Sequence, residues 1–148
     1  MSGLAIGILG LALCAIFCGI GSAFGLKFAG SAAVGVMAED PAKFSKVIVL
    51  ALLPATQGIY GFVIAIMGLS SLGADMTMAQ GWQVFAAALP MTVSGIFSAI
   101  LQGKTSATTI QGVGKKSEIS GKALLFPAMI EFYAILGLVV SIMLLQQA

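Results

Sequence analysis

Long apolar runs alternate with short polar breaks along this chain. Leu4 to Ala38 is apolar except for Lys27, and the stretch Glu39-Asp40-Pro41-Ala42-Lys43-Phe44-Ser45-Lys46 ends it. Val47 to Leu69 carries no charge, and the polar turn from Ser70 to Gln80 holds only Asp75. Val84 to Val113 is interrupted only by Lys104, Gly114 to Lys122 forms a second charged loop, and Ala123 to Leu145 carries one charge, Glu131. A helix needs about 20 apolar residues to cross a hydrocarbon core. The pattern predicts an all-α membrane protein with four transmembrane helices, over 4–38, 47–69, 84–113 and 123–145. The first and third runs are longer than a bilayer requires. At a rise of roughly 1.5 Å per residue they should project beyond it on the loop side.

Composition removes the soluble alternatives. Of 148 residues, 59% are hydrophobic and only 8% charged, with a mean hydropathy of +1.11. Soluble domains carry about a quarter charged residues to cover their surface. A soluble enzyme is thereby excluded, and a net charge of +2 gives no reason to expect a nucleic-acid partner. Histidine is absent, which removes the usual metal ligand and near-neutral acid–base group. Cys14 and Cys18 share a helix face but have no second ligand pair, so they read as small packing residues. No basic stretch precedes the first apolar run, so that run is expected to stay in the mature protein instead of being cleaved as a signal peptide.

Lysine placement sets the expected orientation. Lys43, Lys46, Lys115, Lys116 and Lys122 lie in the loops 39–46 and 114–122, which the positive-inside rule makes cytoplasmic. Both termini then lie outside, with Trp82 as an aromatic anchor at that outer interface. Topology alone accounts for the lysines; a docking surface for a soluble partner is the further reading that the overlong helices support.

The chain also repeats. The constant shift that places Lys46 on Lys122 also places Gly61 on Gly137, Met67 on Met143 and Ser22-Ala23 on Ser98-Ala99. Two parallel hairpins, residues 1–72 and 73–148, are expected. In the first helix of each, small residues recur every fourth position: Gly21, Gly25, Ala29 and Ala33, then Gly95, Ala99, Gly103 and Ala107. Such stripes let helix backbones approach closely. One small-stripe helix and one bulkier helix per hairpin suit an inner and an outer layer, and hence a ring of many copies. Gly19-Ile20-Gly21-Ser22-Ala23-Phe24-Gly25 imitates a dinucleotide fingerprint, but it follows no strand and lies within a span.

Glu131 is the residue that most needs a reason. An ionised carboxylate at mid-membrane costs about 3 kcal/mol on insertion scales, so it must be protonated or paired with a cation. Glu131 lies nine residues past Lys122, Gln57 eleven past Lys46, and Gln102 thirteen before Lys115. These three fall within about 6 Å of one another in depth. Thr56, Gln57 and Tyr60 share a face with Leu53, offering a hydroxyl, an amide and a phenol. One carboxylate with neutral oxygens neutralises a monovalent hard cation, whereas a divalent ion would leave charge in hydrocarbon. Sodium is favoured, with a proton as the alternative. Pro54 and Pro127 each free a carbonyl four residues earlier, so spacing nominates Leu50 as a backbone ligand.

The doubled hairpin, the segment Leu53-Pro-Ala-Thr-Gln-Gly-Ile-Tyr60, Gln102 after a small-residue helix, and Glu131 in the last span resemble one family. It is the sixteen-kilodalton proteolipids, subunit K, that form the rotor ring of bacterial V-type sodium ATPases. The resemblance implies that Na+ is held by Glu131, the side chains of Thr56, Gln57 and Gln102, and the backbone carbonyl of Leu53. Tyr60 would hydrogen-bond the carboxylate and close the site. The resemblance prefers Leu53 where the spacing picks Leu50. Ala55 takes the place of Glu131 under the repeat shift, so one site per chain is implied.

It further implies identical subunits in a ring, a stator membrane subunit with an arginine, central-stalk subunits at the lysine loops, and surrounding lipid. The expected location is the plasma membrane of a bacterium. No phosphate-binding glycine loop is present, so ATP would be hydrolysed elsewhere in the complex, and no organic cofactor is expected. The competing readings are the same rotor driven by H+, and a small secondary transporter or channel working without a motor. Lys27 and Lys104 are expected to snorkel to the interface or meet lipid headgroups.

Overall fold

A computed structural model describes residues 2–148; Met1, at the start of the expected first hairpin, lies outside them. Four rods run through it: Gly3–Glu39, Pro41–Leu69, Met78–Lys115 and Ser117–Leu145, each long and apolar enough to cross a membrane. The first is one helix, α1 (Gly3–Glu39). The second divides into α2 (Phe44–Leu52) and α3 (Thr56–Leu69). The third is again a single helix, α4 (Met78–Lys115), and the fourth divides into the single turn α5 (Ser120–Ala123) and α6 (Leu125–Leu145). Helices of 37 and 38 residues are about 55 Å long, well beyond a hydrocarbon core of about 30 Å.

The spans begin earlier than the polar pattern predicts, and the lysine loops are mostly helical. The Asp40 side chain accepts the Ala42 amide hydrogen at 3.1 Å and Pro41 opens a 3-10 turn, so the return rod starts within two residues of α1. Thr77 and Gln80 form a reciprocal capping box, which starts α4 at Met78. Polar residues thus cap the rods instead of separating them. Lys43 reaches across the hairpins and donates to the Gly114 carbonyl at 2.8 Å, where α4 ends.

Each bulky rod packs on its small-stripe partner, and α1 against α4 is the most extensive pairing of all. The glycine stripe is the reason. A Cβ on Gly21 would lie 2.7 Å from the Ile96 Cα, and one on Gly25 would strike the Ala99 carbonyl, so side chains there would force the backbones apart. Gly103 sits against Gly25 in the same way. Ala29 and Ala33 are buried too, but in an apolar cluster with Val47, Leu50 and Ala51 of α2. Ala107 is only half-buried, because a stripe repeating every fourth residue drifts around a helix of about 3.6 residues per turn.

Two apolar clusters fill the ends. One gathers Leu11, Cys14, Cys18, Ile64, Met91 and Ala134 near the chain termini; the other gathers Ala33, Val36, Val47, Leu50 and Ile110 near the lysine end. Both cysteines are fully buried, and the Cys18 thiol donates to the Met91 carbonyl at 3.4 Å. Ser22, Gln57, Ser98 and Gln102 are buried in the layer between.

Candidate ion-binding site

Pro54 builds the first wall of the site. It has no amide hydrogen to continue α2, and the backbone tightens into a 3-10 turn over Leu53–Ala55 before α3 restarts at Thr56. Pro54 is buried against α1, where a Cβ on Gly25 would come within 2.6 Å of its own Cβ. The restarted helix has unsatisfied amides at its first turn. Ser22 of α1 supplies one partner, accepting the Gly58 amide hydrogen at 2.8 Å. The break is therefore clamped from the neighbouring helix, and Thr56 and Gln57 are aimed at the gap between α4 and α6.

In that gap Glu131 accepts three hydrogen bonds. The Thr56 hydroxyl is 2.6 Å from Oε1; Gln57 Nε2 and Gln102 Nε2 are 3.0 and 2.8 Å from Oε2. The two amides also bind each other, Gln57 Nε2 donating to Gln102 Oε1 at 2.7 Å. The second hydrogen of Gln102 goes to the Pro127 carbonyl at 2.9 Å. Both glutamines are 0% exposed, whereas Glu131 is half-buried on a helix whose neighbouring Met129, Phe132 and Tyr133 face outward.

Hydrogens run short on the Thr56 side. Its Oγ1 lies 2.8 Å from the Leu53 carbonyl, 3.3 Å from Gln57 Oε1 and 2.6 Å from Glu131 Oε1. A hydroxyl has one proton to give. With Glu131 ionised, two of those three oxygens face lone pairs, a converging set of acceptors that suits a bound cation; a protonated Glu131 would itself supply one of the missing hydrogens. No lysine pairs with Glu131 among the described residues: the ion pairs are Lys43 with Asp40 and Lys116 with Glu118. Lys104 is two residues from Gln102 but extends over the Phe28 ring, 5.6 Å from its centroid. Lys27 is exposed. Among the described residues, no cationic side chain faces the carboxylate.

The structure brings Glu131, Gln102, Gln57, Thr56 and the Leu53 carbonyl to one place. Leu50, the backbone candidate by proline spacing, has its side chain in the apolar cluster toward the lysine end. Gln102, like Gln57, presents its amide nitrogen to the carboxylate. Tyr60 is half-buried on the same face of α3; its ring packs against the terminal cluster and its phenol is within interaction range of the Glu131 carboxyl and the Thr56 hydroxyl. Two participants escaped the sequence argument. Ser22 stood out only as a repeat match, and its partner is a backbone amide freed by the break at Pro54, on a different helix. The Pro127 carbonyl has no side-chain signal at all.

Comparison with known proteins agrees with this architecture. The sequence profile of the ATP synthase C subunit matches twice, over residues 9–68 and 85–144. The chain is 45% identical to the V-type sodium ATPase subunit K of Enterococcus hirae, over 99% of this chain and 94% of that one. It is 39% identical to the A-type ATP synthase subunit K of Methanocaldococcus jannaschii, over 96% of this chain and 62% of the relative. It is 21% identical to the 16 kDa proteolipid of the human V-type proton ATPase, over 93% and 88%. With two family matches covering most of its length and a four-span helical fold, the chain belongs to the ATP synthase C-subunit family of rotor-ring proteolipids.

Proposed function

We propose that this chain is a rotor-ring subunit of a rotary V-type ATPase that carries Na+ on Glu131. The observation that carries the reading is the oxygen cluster around Thr56 beside a carboxylate with no cationic partner among the described residues. Glu131, Thr56, Gln57 and the Leu53 carbonyl would supply oxygens to the ion. Half a turn of the Gln102 amide exchanges its nitrogen for its oxygen and adds the last ligand. Tyr60 would close the outer side by hydrogen-bonding the carboxylate with its phenol. The greater similarity to a protein named for sodium than to those named for protons supports Na+.

A neutral, occupied site can face lipid, whereas a bare carboxylate there costs several kcal/mol. Rotation would thus carry loaded sites through lipid and permit exchange only beside a stator, whose arginine would help displace the ion. The two fused hairpins, residues 1–72 and 73–148, would carry one site between them. Loops 39–46 and 114–122 would face the cytoplasm and the central stalk, with the termini outside a bacterial plasma membrane. Hydrolysis of ATP would occur on other subunits.

A hydrophobic carbodiimide tests the ion directly, because it attacks the protonated acid. Millimolar Na+ at fixed pH is expected to slow labelling of Glu131 in the intact complex. Labelling that ignores Na+ would replace sodium by the proton as the coupling ion.

A further inference from the structure

We propose that Ser22 of α1 is a positioning residue of the ion site, which sets how tightly Na+ binds by holding the peptide that carries Gln57; this rests on the sodium reading above. The restart of α3 needs outside help. Its N-cap is Ala55, which has no side-chain oxygen and makes no cap bond. A cap ordinarily comes from a serine, threonine, aspartate or asparagine whose oxygen accepts the second or third amide hydrogen of the helix. Gly58 is the third residue of α3, and its amide hydrogen goes to Ser22 Oγ at 2.8 Å. Ser22 supplies from a neighbouring helix the cap that Ala55 cannot give.

That amide belongs to the planar peptide whose other end is the Gln57 Cα. Fixing its direction fixes where the Gln57 side chain leaves the backbone, and Thr56 lies one residue before. Thr56 and Gln57 bring their donors to opposite oxygens of Glu131, at 2.6 and 3.0 Å. The anchor is itself held firmly. Ser22 is 6% exposed and lies between Gly21 and Gly25, the two glycines at which α1 meets the backbone of α4. Gly58 completes the fit, because a Cβ there would stand 3.1 Å from Ser22 Oγ. Through this one hydroxyl, α1 fixes the geometry of ligands carried by another helix.

The second hairpin provides an internal comparison. The repeat shift places Ser22 on Ser98, Pro54 on Ile130 and Gly58 on Ala134. Ser98 is as deeply buried, at 5% exposed, but α6 runs unbroken past Ile130 and Ala134. With no freed amide opposite, the Ser98 hydroxyl donates to the Gly95 carbonyl of its own helix at 3.3 Å. The same residue type at the same repeat position reaches across only where proline has broken the facing helix. A second clamp shows what a purely structural bond of this kind looks like. Beside Pro90, the Met91 amide donates to Ser141 Oγ at 3.0 Å, and both residues are fully buried. Ser141 lies ten residues beyond Glu131 on α6, about 15 Å along the helix and away from the carboxylate.

Ser22→Ala and Ser141→Ala, each in the intact complex, separate positioning from scaffold. Each removes one buried hydroxyl that accepts a backbone amide hydrogen, so both should lower the temperature at which the ring dissociates in detergent. Only Ser22→Ala should raise the Na+ concentration that half-protects Glu131 from carbodiimide, by about 3- to 30-fold, which is what loss of a helix cap amounts to. ATP-driven Na+ uptake should keep the parent rate at saturating Na+, while its half-maximal Na+ concentration rises by the same factor. Ser22→Cys keeps the bulk and weakens the acceptor; it should shift half-protection the same way, and it carries the test where the alanine ring does not assemble. Half-protection within twofold of the parent in an assembled Ser22 variant, or an equal shift in Ser141→Ala, overturns the positioning role and leaves the sodium reading standing. A parent complex that Na+ does not protect overturns the sodium reading itself.

Discussion

Replacing Thr56 by valine isolates the node on which the site turns. The two side chains have nearly the same shape, so the substitution exchanges one hydroxyl for a methyl and leaves the half-buried packing in place. What is lost is an oxygen 2.6 Å from Glu131 Oε1 and 2.8 Å from the Leu53 carbonyl, together with the single proton shared among them. A hydrogen bond or ligand contact to a charged group contributes about 1.5–3 kcal/mol. At about 1.4 kcal/mol per factor of ten, the Na+ concentration that half-protects Glu131 from carbodiimide should rise about 10- to 150-fold. Thr56→Ser restores the oxygen without the methyl and should recover most of the affinity. Half-protection in Thr56→Val within twofold of the parent, with the ring still assembled, would show that the hydroxyl does not ligate the ion.

Three further substitutions separate charge, cage and scaffold. Glu131→Gln removes the charge and almost no volume; ATP-driven Na+ uptake in vesicles and carbodiimide labelling should vanish while the ring keeps its mass. Gln102→Ala removes the donor to Glu131 Oε2 and leaves Gln57 Nε2 without its 2.7 Å partner, so Na+ half-protection should weaken at least tenfold, and by more than labelling without Na+ changes. Gly25→Ala drives a methyl to 2.6 Å from Pro54 and into the Ala99 carbonyl, an overpacking that costs about 1–3 kcal/mol and should lower the temperature at which the ring dissociates in detergent.

The spans, the doubling and the polar level were legible because a bilayer enforces them. Lipid tolerates few charges, so Glu131 and the lysines mark depth almost as a ruler does. The ends of the rods were not legible. Glu39 to Lys46 reads as a loop because its residues are polar, yet Asp40 and Pro41 are also what a helix start requires, and composition cannot tell the two apart. Gln102 shows a different limit. Depth and face placed it beside Glu131, but whether an amide turns oxygen or nitrogen inward depends on competing partners, here Gln57 Nε2 and the Pro127 carbonyl. Ser22 was hidden for a related reason: its function is to satisfy a backbone group, and backbone groups leave no trace in the sequence.

The division of labour across the site follows from those partners. Gln57 and Gln102 are fully buried, tied to each other and to a carbonyl, and hold Oε2 of the carboxylate from the inside. Oε1 has only the Thr56 hydroxyl, and Glu131 is open on the side where α6 presents Phe132 and Tyr133. Donors on one oxygen satisfy the carboxylate when its charge is uncovered, and the Gln102 amide is the group that would turn as an ion enters. A sparsely held oxygen on the other leaves the site openable from the outer face. A carboxylate clamped equally on both oxygens would bind its ion firmly and release it slowly; one clamped on neither would lose its geometry at every exchange. The asymmetry is what a carrier needs, and Pro54 creates it, because the broken helix delivers Thr56 and Gln57 to opposite oxygens of the same acid.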